Sequence, residues 1–245
     1  MPCQTQTQSQ TPSQTHRTRI RLQPVWLISL TLALVVLGWE LSGLDLAVMR
    51  LIGTPGGFAL QHHWLLEKVL HKGARLTASI LFIGLWLAVW WPVGALRHTT
   101  RARRVWLMVT ITLCLVAISV LKRVNTTSCP WELAAFGGTV PYVSHWNLGL
   151  RDGGGGHCFP AGHASAAFGF VAGALLWLDP AENPAASPAA RTSGWLWLLA
   201  VGLCGLGLGL AQTLRGAHYP SHTLWTAAIC WGISVASWSL YKRPG

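Results

Sequence analysis

Charge is what this sequence has least of. Only 10% of its 245 residues are Asp, Glu, Lys or Arg, against about 25% in a soluble globular domain. That deficit, beside 51% hydrophobic residues and 15 Trp, excludes an ordinary water-soluble domain and points to a membrane protein. No internal repeat of fixed period is present, so no repeat architecture is expected. No clear small-x-small site ends the first apolar run, which therefore reads as a retained helix and not as a signal peptide. No strand precedes Gly205, Gly207 and Gly209. They are not a nucleotide loop and instead let neighbouring helices approach closely.

Acidic residues are scarce too. Seven Asp and Glu stand against 18 Lys and Arg, a net charge of +11 with His neutral. The basic residues fall in short clusters between apolar stretches, which excludes a nucleic-acid partner. Basic loops orient membrane helices and bind anionic headgroups.

At roughly 20 apolar residues per span, the length fits about six helices. The expected fold is all-α: a six-transmembrane-helix bundle with spans near 25–41, 76–91, 105–121, 164–178, 194–210 and 223–240. Residues 1–22 read as a disordered, basic cytoplasmic tail, and 23–243 as one membrane domain. Arg17, Arg19 and Arg21, the cluster Arg97, Arg101, Arg103 and Arg104, and Lys242 with Arg243 each fall on the inner side if there are six spans. Both termini are then cytoplasmic, in a multi-pass inner-membrane protein. Residues 60–76 read as an extracytoplasmic interfacial helix, with Leu60, Trp64, Leu65, Val69 and Leu76 at helical spacing among His62, His63, Glu67, Lys68, His71, Lys72 and Arg75. Its histidines read as interfacial polar residues. Cys114, Cys204 and Cys230, inside apolar runs, read as inert core residues.

Six spans put segments 43–75, 122–163 and 212–222 outside. The last two hold the residues that look like chemistry. Segment 122–163, the long loop after the third helix, opens with Lys122-Arg123 and closes on His157-Cys158-Phe159-Pro160-Ala161-Gly162-His163. Segment 212–222 runs from Gln212 through Arg215 and His218 to His222. Gly162-His163 opens a helix, whose free N–H groups suit an anion. Lys122 and Arg215 supply positive charge, and Arg can grip two phosphate oxygens. His163 and His218 each follow a small residue in a turn, so one can attack phosphorus while the other protonates the leaving oxygen. His222, four residues after His218, can hold that imidazole in its attacking tautomer.

These residues resemble the three motifs of the type 2 phosphatidic acid phosphatase (PAP2) superfamily: Lys-six residues-Arg-Pro, Pro-Ser-Gly-His, and Ser-Arg-five residues-His-three residues-Asp. Here they read Lys122-six residues-Cys129-Pro130, Pro160-Ala161-Gly162-His163, and His218-three residues-His222. Order, spacing and placement at helix ends match. The resemblance implies that Lys122 binds phosphate, His163 is the general acid and His218 is the nucleophile that forms a phosphohistidine. It implies no metal and no cofactor.

Four positions depart from the pattern. Cys129 stands for a phosphate-binding Arg. Ala161 stands for Ser, which loses a hydroxyl and leaves a backbone N–H as the phosphate contact. Gln212 stands for the third-motif Arg, for which Arg215 can substitute from about 4.5 Å further along a helix axis. His222 stands for Asp. Arg123 and His157 are auxiliary candidates, and Arg151 is a further nearby charge. Cys129 and Cys158 share the outward loop, and an oxidising compartment favours their pairing. Two reduced buried thiols are the alternative.

The implied function is hydrolysis of a lipid phosphomonoester or pyrophosphate at the outer headgroup level. The partners are the lipid phosphate substrate and the bilayer. Three other readings stay open: a lipid phosphotransferase, a metal-binding protein using His157, His163, His218 and His222, and a non-catalytic lipid-binding member of the fold.

Overall fold

A computed structural model describes residues 24–147, 149–178 and 188–241. The expected tail 1–22, most of loop 179–193, Lys242 and Arg243 lie outside the described residues. The chain is mostly helical. Four helices are long and apolar enough to cross a membrane: Pro24–Ser42, Arg101–Val124, Arg191–Leu214 and Pro220–Tyr241. Two further apolar helical stretches, Ala74–Leu87 and Ser165–Leu178, are shorter. Fourteen residues of helix reach about 21 Å, less than the roughly 30 Å of a hydrocarbon core.

Helix α1 (Pro24–Ser42) buries only Val25 and Val36, as befits a helix whose other faces meet lipid. It leads into α2 (Leu44–Ile52) and a two-residue antiparallel pair, β1 (Gly53–Thr54) with β2 (Gly57–Phe58). The segment expected to be interfacial is a π-helix over Leu65–Gly73. It passes without a break into α3 (Ala74–Leu87), since Gly73 and Ala74 are both right-handed helical. The interfacial helix and the second apolar stretch are thus one rod. π-Helices are rare and cluster at functional sites.

Helix α4 (Arg101–Val124) follows, its first turn capped by the Thr100 hydroxyl, which accepts from the Arg103 N–H. The next apolar stretch is not one helix but three pieces: α5 (Ser165–Phe168), a 3₁₀ turn (Val171–Ala174) and α6 (Leu175–Leu178). Trp197 Nε1 donates to Phe170 O at 2.9 Å, and an inserted side-chain donor of this kind interrupts a helix ladder. All but Ala166 and Trp177 of these residues are buried, so the broken stretch is the core of the bundle. Around it pack α7 (Pro188–Leu214) and α8 (Pro220–Tyr241), the latter also touching α1 and α4. Gly205 and Gly209 sit where a Cβ would strike Phe168 and Thr223, at 2.5 and 2.2 Å. These glycines let α7 lie against α5 and α8. Gly207 faces open space.

Chain direction places the site. α3, α5 and α8 begin at the same end of the bundle at which α1, α4 and α7 finish. His71, Lys122, His163, Arg215 and His218 lie there together.

Candidate active site

Lys122 occupies the last turn of α4, whose C-cap is Asn125. Asn125 laces this turn to the segment before α5. Its Oδ1 accepts from the N–H groups of Thr127 (3.2 Å) and Phe159 (3.1 Å), and its carbonyl accepts from the His157 N–H at 2.9 Å. The Cys158 N–H donates to Thr127 O at 3.1 Å. Asp152 adds a buried carboxylate that accepts from the N–H and hydroxyl of Ser128 at 2.7 and 2.9 Å. Cys129 and Cys158 form a disulfide with Cα atoms 5.1 Å apart. Lys122 and His163 therefore flank one covalently closed loop.

A cleft of about 630 Å³ opens between α3, α4 and α5. Its lining is graded. Arg75, Lys122, Gly162 and His163 stand at one end; Ser79 and Ser119 come next; Phe82, Ile83 and Leu115 lie further down the helices. From residue 75 to 83 is about 12 Å of helix. Lys122 runs along Gly162, where an added Cβ would meet its Cδ at 3.5 Å. Neither Lys122 Nζ nor the Arg75 guanidinium has a protein partner among the described residues.

The His163 ring lies against His71, with centroids 3.7 Å apart. Nδ1 of each is buried without a hydrogen-bond partner among the described residues. Burial pushes His163 down to about 3, and every charged neighbour acting on it (His71, Lys122, Arg215, Arg75) pushes the same way. His71 is lowered by burial and then by Arg215, with only Glu67 opposing among the charges. The cleft is thus a concentrated positive field that favours an anion.

His218 sits in the turn between α7 and α8, fully buried, with Nδ1 3.6 Å from Cys158 Sγ. Burial lowers it well below the usual histidine range, and the charges of Lys122, His222 and His163 follow in that order. Gly216 shapes this turn: its φ is 73°, and a Cβ would strike the Phe58 ring at 2.3 Å.

Two sequence expectations are corrected. The Ala161 N–H is not a phosphate contact, because it donates to His222 O at 3.2 Å, and Ala161 is fully buried. His222 does not hold the His218 ring. Its Nδ1 lies 3.0 Å from Cys158 O, and the two ring centroids are 5.8 Å apart. His222 instead ties α8 to the disulfide loop. Arg215 is held by the carbonyl of Gln61 (2.8 Å, from Nε) and by Gln212 Oε1 (3.2 Å, from Nη1). Gln212 therefore positions Arg215. His157 is exposed, and its Nδ1 faces the Lys122 carbonyl at 3.0 Å near the end of α4. Arg123 is exposed and outside the cleft.

Sequence reasoning missed three residues. His71 and Arg75 looked interfacial, although a spacing of four puts both on one helix face. Asp45 on α2 gave no local signal. Its carboxylate is buried, receives the Ser221 N–H (3.0 Å) and the Trp39 indole (2.8 Å), and also binds the Ser221 hydroxyl. It anchors the start of α8. Glu40 plays a similar part for α1, accepting from the indoles of Trp146 (2.8 Å) and Trp225 (2.7 Å) beside His145.

A helical, membrane-associated bundle with a cationic, histidine-bearing cleft at one end is the class these features define. The PAP2 superfamily model matches residues 103–245, more than half of the chain and the part that carries Lys122, His163 and His218. The chain belongs to the PAP2 superfamily, and with its four long apolar helices it has a membrane phosphatase-type fold. No curated relative and no solved structure matches the chain.

Proposed function

We propose that this chain is an integral inner-membrane phosphatase that hydrolyses a lipid phosphomonoester or pyrophosphate at the extracytoplasmic face, with α3 and the Ser165–Leu178 stretch completing six spans. The observation that carries this reading is the graded cleft, cationic at Arg75 and Lys122 beside His163 and apolar at Phe82, Ile83 and Leu115. A phosphate joined to an acyl or prenyl chain has that polarity. Lys122 and the Gly162 N–H hold the phosphoryl group, and Arg215 adds charge from behind Gln212.

In the first step the lone pair of His218 Nε2 attacks phosphorus. The P–O bond to the leaving group breaks, and the leaving oxygen takes a proton from His163. In the second, water attacks the phosphohistidine and gives its proton to His163, and cleavage of the P–N bond frees inorganic phosphate. His163 needs a proton for the first step, although its neighbours disfavour one. A bound phosphate dianion reverses the local field and favours protonation. With His222 turned to the Cys158 carbonyl, the neighbour of His218 Nδ1 is the neutral disulfide sulfur of Cys158.

The test is phosphate release from a panel of lipid monophosphates and pyrophosphates in detergent. His218→Ala and His163→Ala are each expected to lower kcat at least 100-fold. Unchanged hydrolysis in both variants would rule the mechanism out. Lipid-to-lipid transfer of phosphate, measured in parallel, separates hydrolase from phosphotransferase.

A further inference from the structure

We infer that His71 and Arg75, on the rod formed by the π-helix and α3, are phosphate-binding residues of this site, and that with Lys122 they form the phosphate-binding wall missing from the motif positions held by Cys129 and Gln212. The inference rests on the phosphatase reading for its lipid substrate and adds to it the part of the chain that precedes the matched region. Three observations point to a phosphate dianion. The first is position: Arg75 lines the same cleft as Lys122 and His163, and both cations lack a protein partner among the described residues. The second is the ring contact at 3.7 Å between His71 and His163, with a buried, unpartnered Nδ1 on each. Such atoms cost about 1–3 kcal/mol each when left unsatisfied, and a tetrahedral oxyanion offers several acceptors at once. The third is local structure. A π-helix advances the chain differently from an α-helix and so re-aims the side chains that follow it; here it carries His71 and leads straight to Arg75.

The alternative role for Arg75 is a headgroup-facing cation of the membrane surface. That role predicts no change in the affinity of a soluble anion, and the two are separable. Isothermal titration of the purified protein with inorganic phosphate reads the wall without any turnover. Hydrolysis of a short-chain phosphatidic acid reads it with the lipid-borne phosphate. Arg75→Gln and His71→Gln are expected to weaken inorganic phosphate about tenfold or more and to raise KM for the lipid similarly, with kcat within about threefold. Arg75→Lys is expected to restore most of the affinity. Lys68→Gln, an equal charge change on the same segment but paired with Glu67, is expected to change neither.

Parallel loss with both probes assigns the wall to lipid phosphate, and loss with inorganic phosphate alone assigns it to the free ion; either result upholds the inference. Affinities of Arg75→Gln and His71→Gln within twofold of wild type overturn it, as does a wild-type protein that binds no phosphate. Wild-type protein that binds phosphate through this wall but hydrolyses no lipid phosphate would remove the hydrolase reading and leave the wall in place. Arg75 is exposed, so its variants test the inference even if His71→Gln disturbs folding.

Discussion

Sγ of Cys158 lies 3.6 Å from Nδ1 of His218. The disulfide that closes the loop after α4 therefore also walls the proposed nucleophile. Breaking it is expected to act twice. Removing a bridge across a sequence separation of 29 costs on the order of 3 kcal/mol, read as a lower melting temperature for Cys129→Ala or after reduction. Freed thiols also give His218 a different neighbour, and hydrolysis is expected to fall at least tenfold. Activity that survives full reduction would dissociate the bridge from the site.

The same geometry bears on metals. Among the described residues, Cys129, Cys158 and His218 are the one group of donors close enough to share an ion, within 4.8 Å of one another. Two of the three are tied up as a disulfide, and a metal binds the thiolate form of cysteine. The oxidised protein is expected to keep its activity in EDTA. After reduction, zinc is expected to bind and inhibit. Loss of activity in EDTA without reduction would show that the site needs a metal after all.

Lys122 and Arg123 are adjacent in sequence and opposite in environment. The first lines the cleft and the second is exposed. Lys122→Met is expected to weaken phosphate binding between about 10- and 100-fold, the range for a lost hydrogen bond to a charged group. Arg123→Met is expected to stay within about twofold. Phosphate titration of the two variants, matched for melting temperature, checks this contrast. Equal losses would mean that bulk charge attracts the anion.

The long apolar helices were legible because composition alone identifies them: the stretch expected at 105–121 lies within Arg101–Val124, and that at 223–240 within Pro220–Tyr241. Ser165–Leu178 was legible as apolar but not as broken, because the interruption comes from Trp197, a side chain of another helix. The three motif positions Lys122, His163 and His218 could be found by spacing. Asp45 could not, since its partner Ser221 is 176 residues away. Nor could the corrected role of His222, whose partner is a backbone carbonyl fixed by the disulfide loop.

Asp45 is expected to be the α2 residue on which the His218–His222 turn most depends. Asp45→Asn keeps the shape but loses the charge that binds the Ser221 N–H and hydroxyl, at a cost of about 1.5–3 kcal/mol. Melting temperature and kcat are both expected to drop. Ser221→Ala, which loses only the hydroxyl contact, is expected to do less. If Ser221→Ala costs more than Asp45→Asn, the carboxylate does not anchor α8.

The histidine pair predicts acid sensitivity. His163 stands at about 3 and His71 is also lowered, while an unfolded histidine titrates near 6.5. Below about pH 6.5 the unfolded chain therefore binds more protons than the folded one, and stability falls with pH. The contribution is complete above pH 6.5 and is lost progressively as pH falls from there toward 3, by at most about 1.4 kcal/mol per unit for each fully shifted ring. Lys122, Arg75 and Arg215 face the pair with positive charge, and Glu67 alone opposes them on His71. A phosphate anion in the cleft offsets that field, so 10 mM phosphate is expected to shrink the loss. Melting temperatures between pH 7.5 and 5.0 check this in wild type and His163→Gln. The variant is expected to show a shallower slope and less protection by phosphate. A wild-type melting temperature that is flat or rises on acidification would mean that these imidazoles are not held neutral.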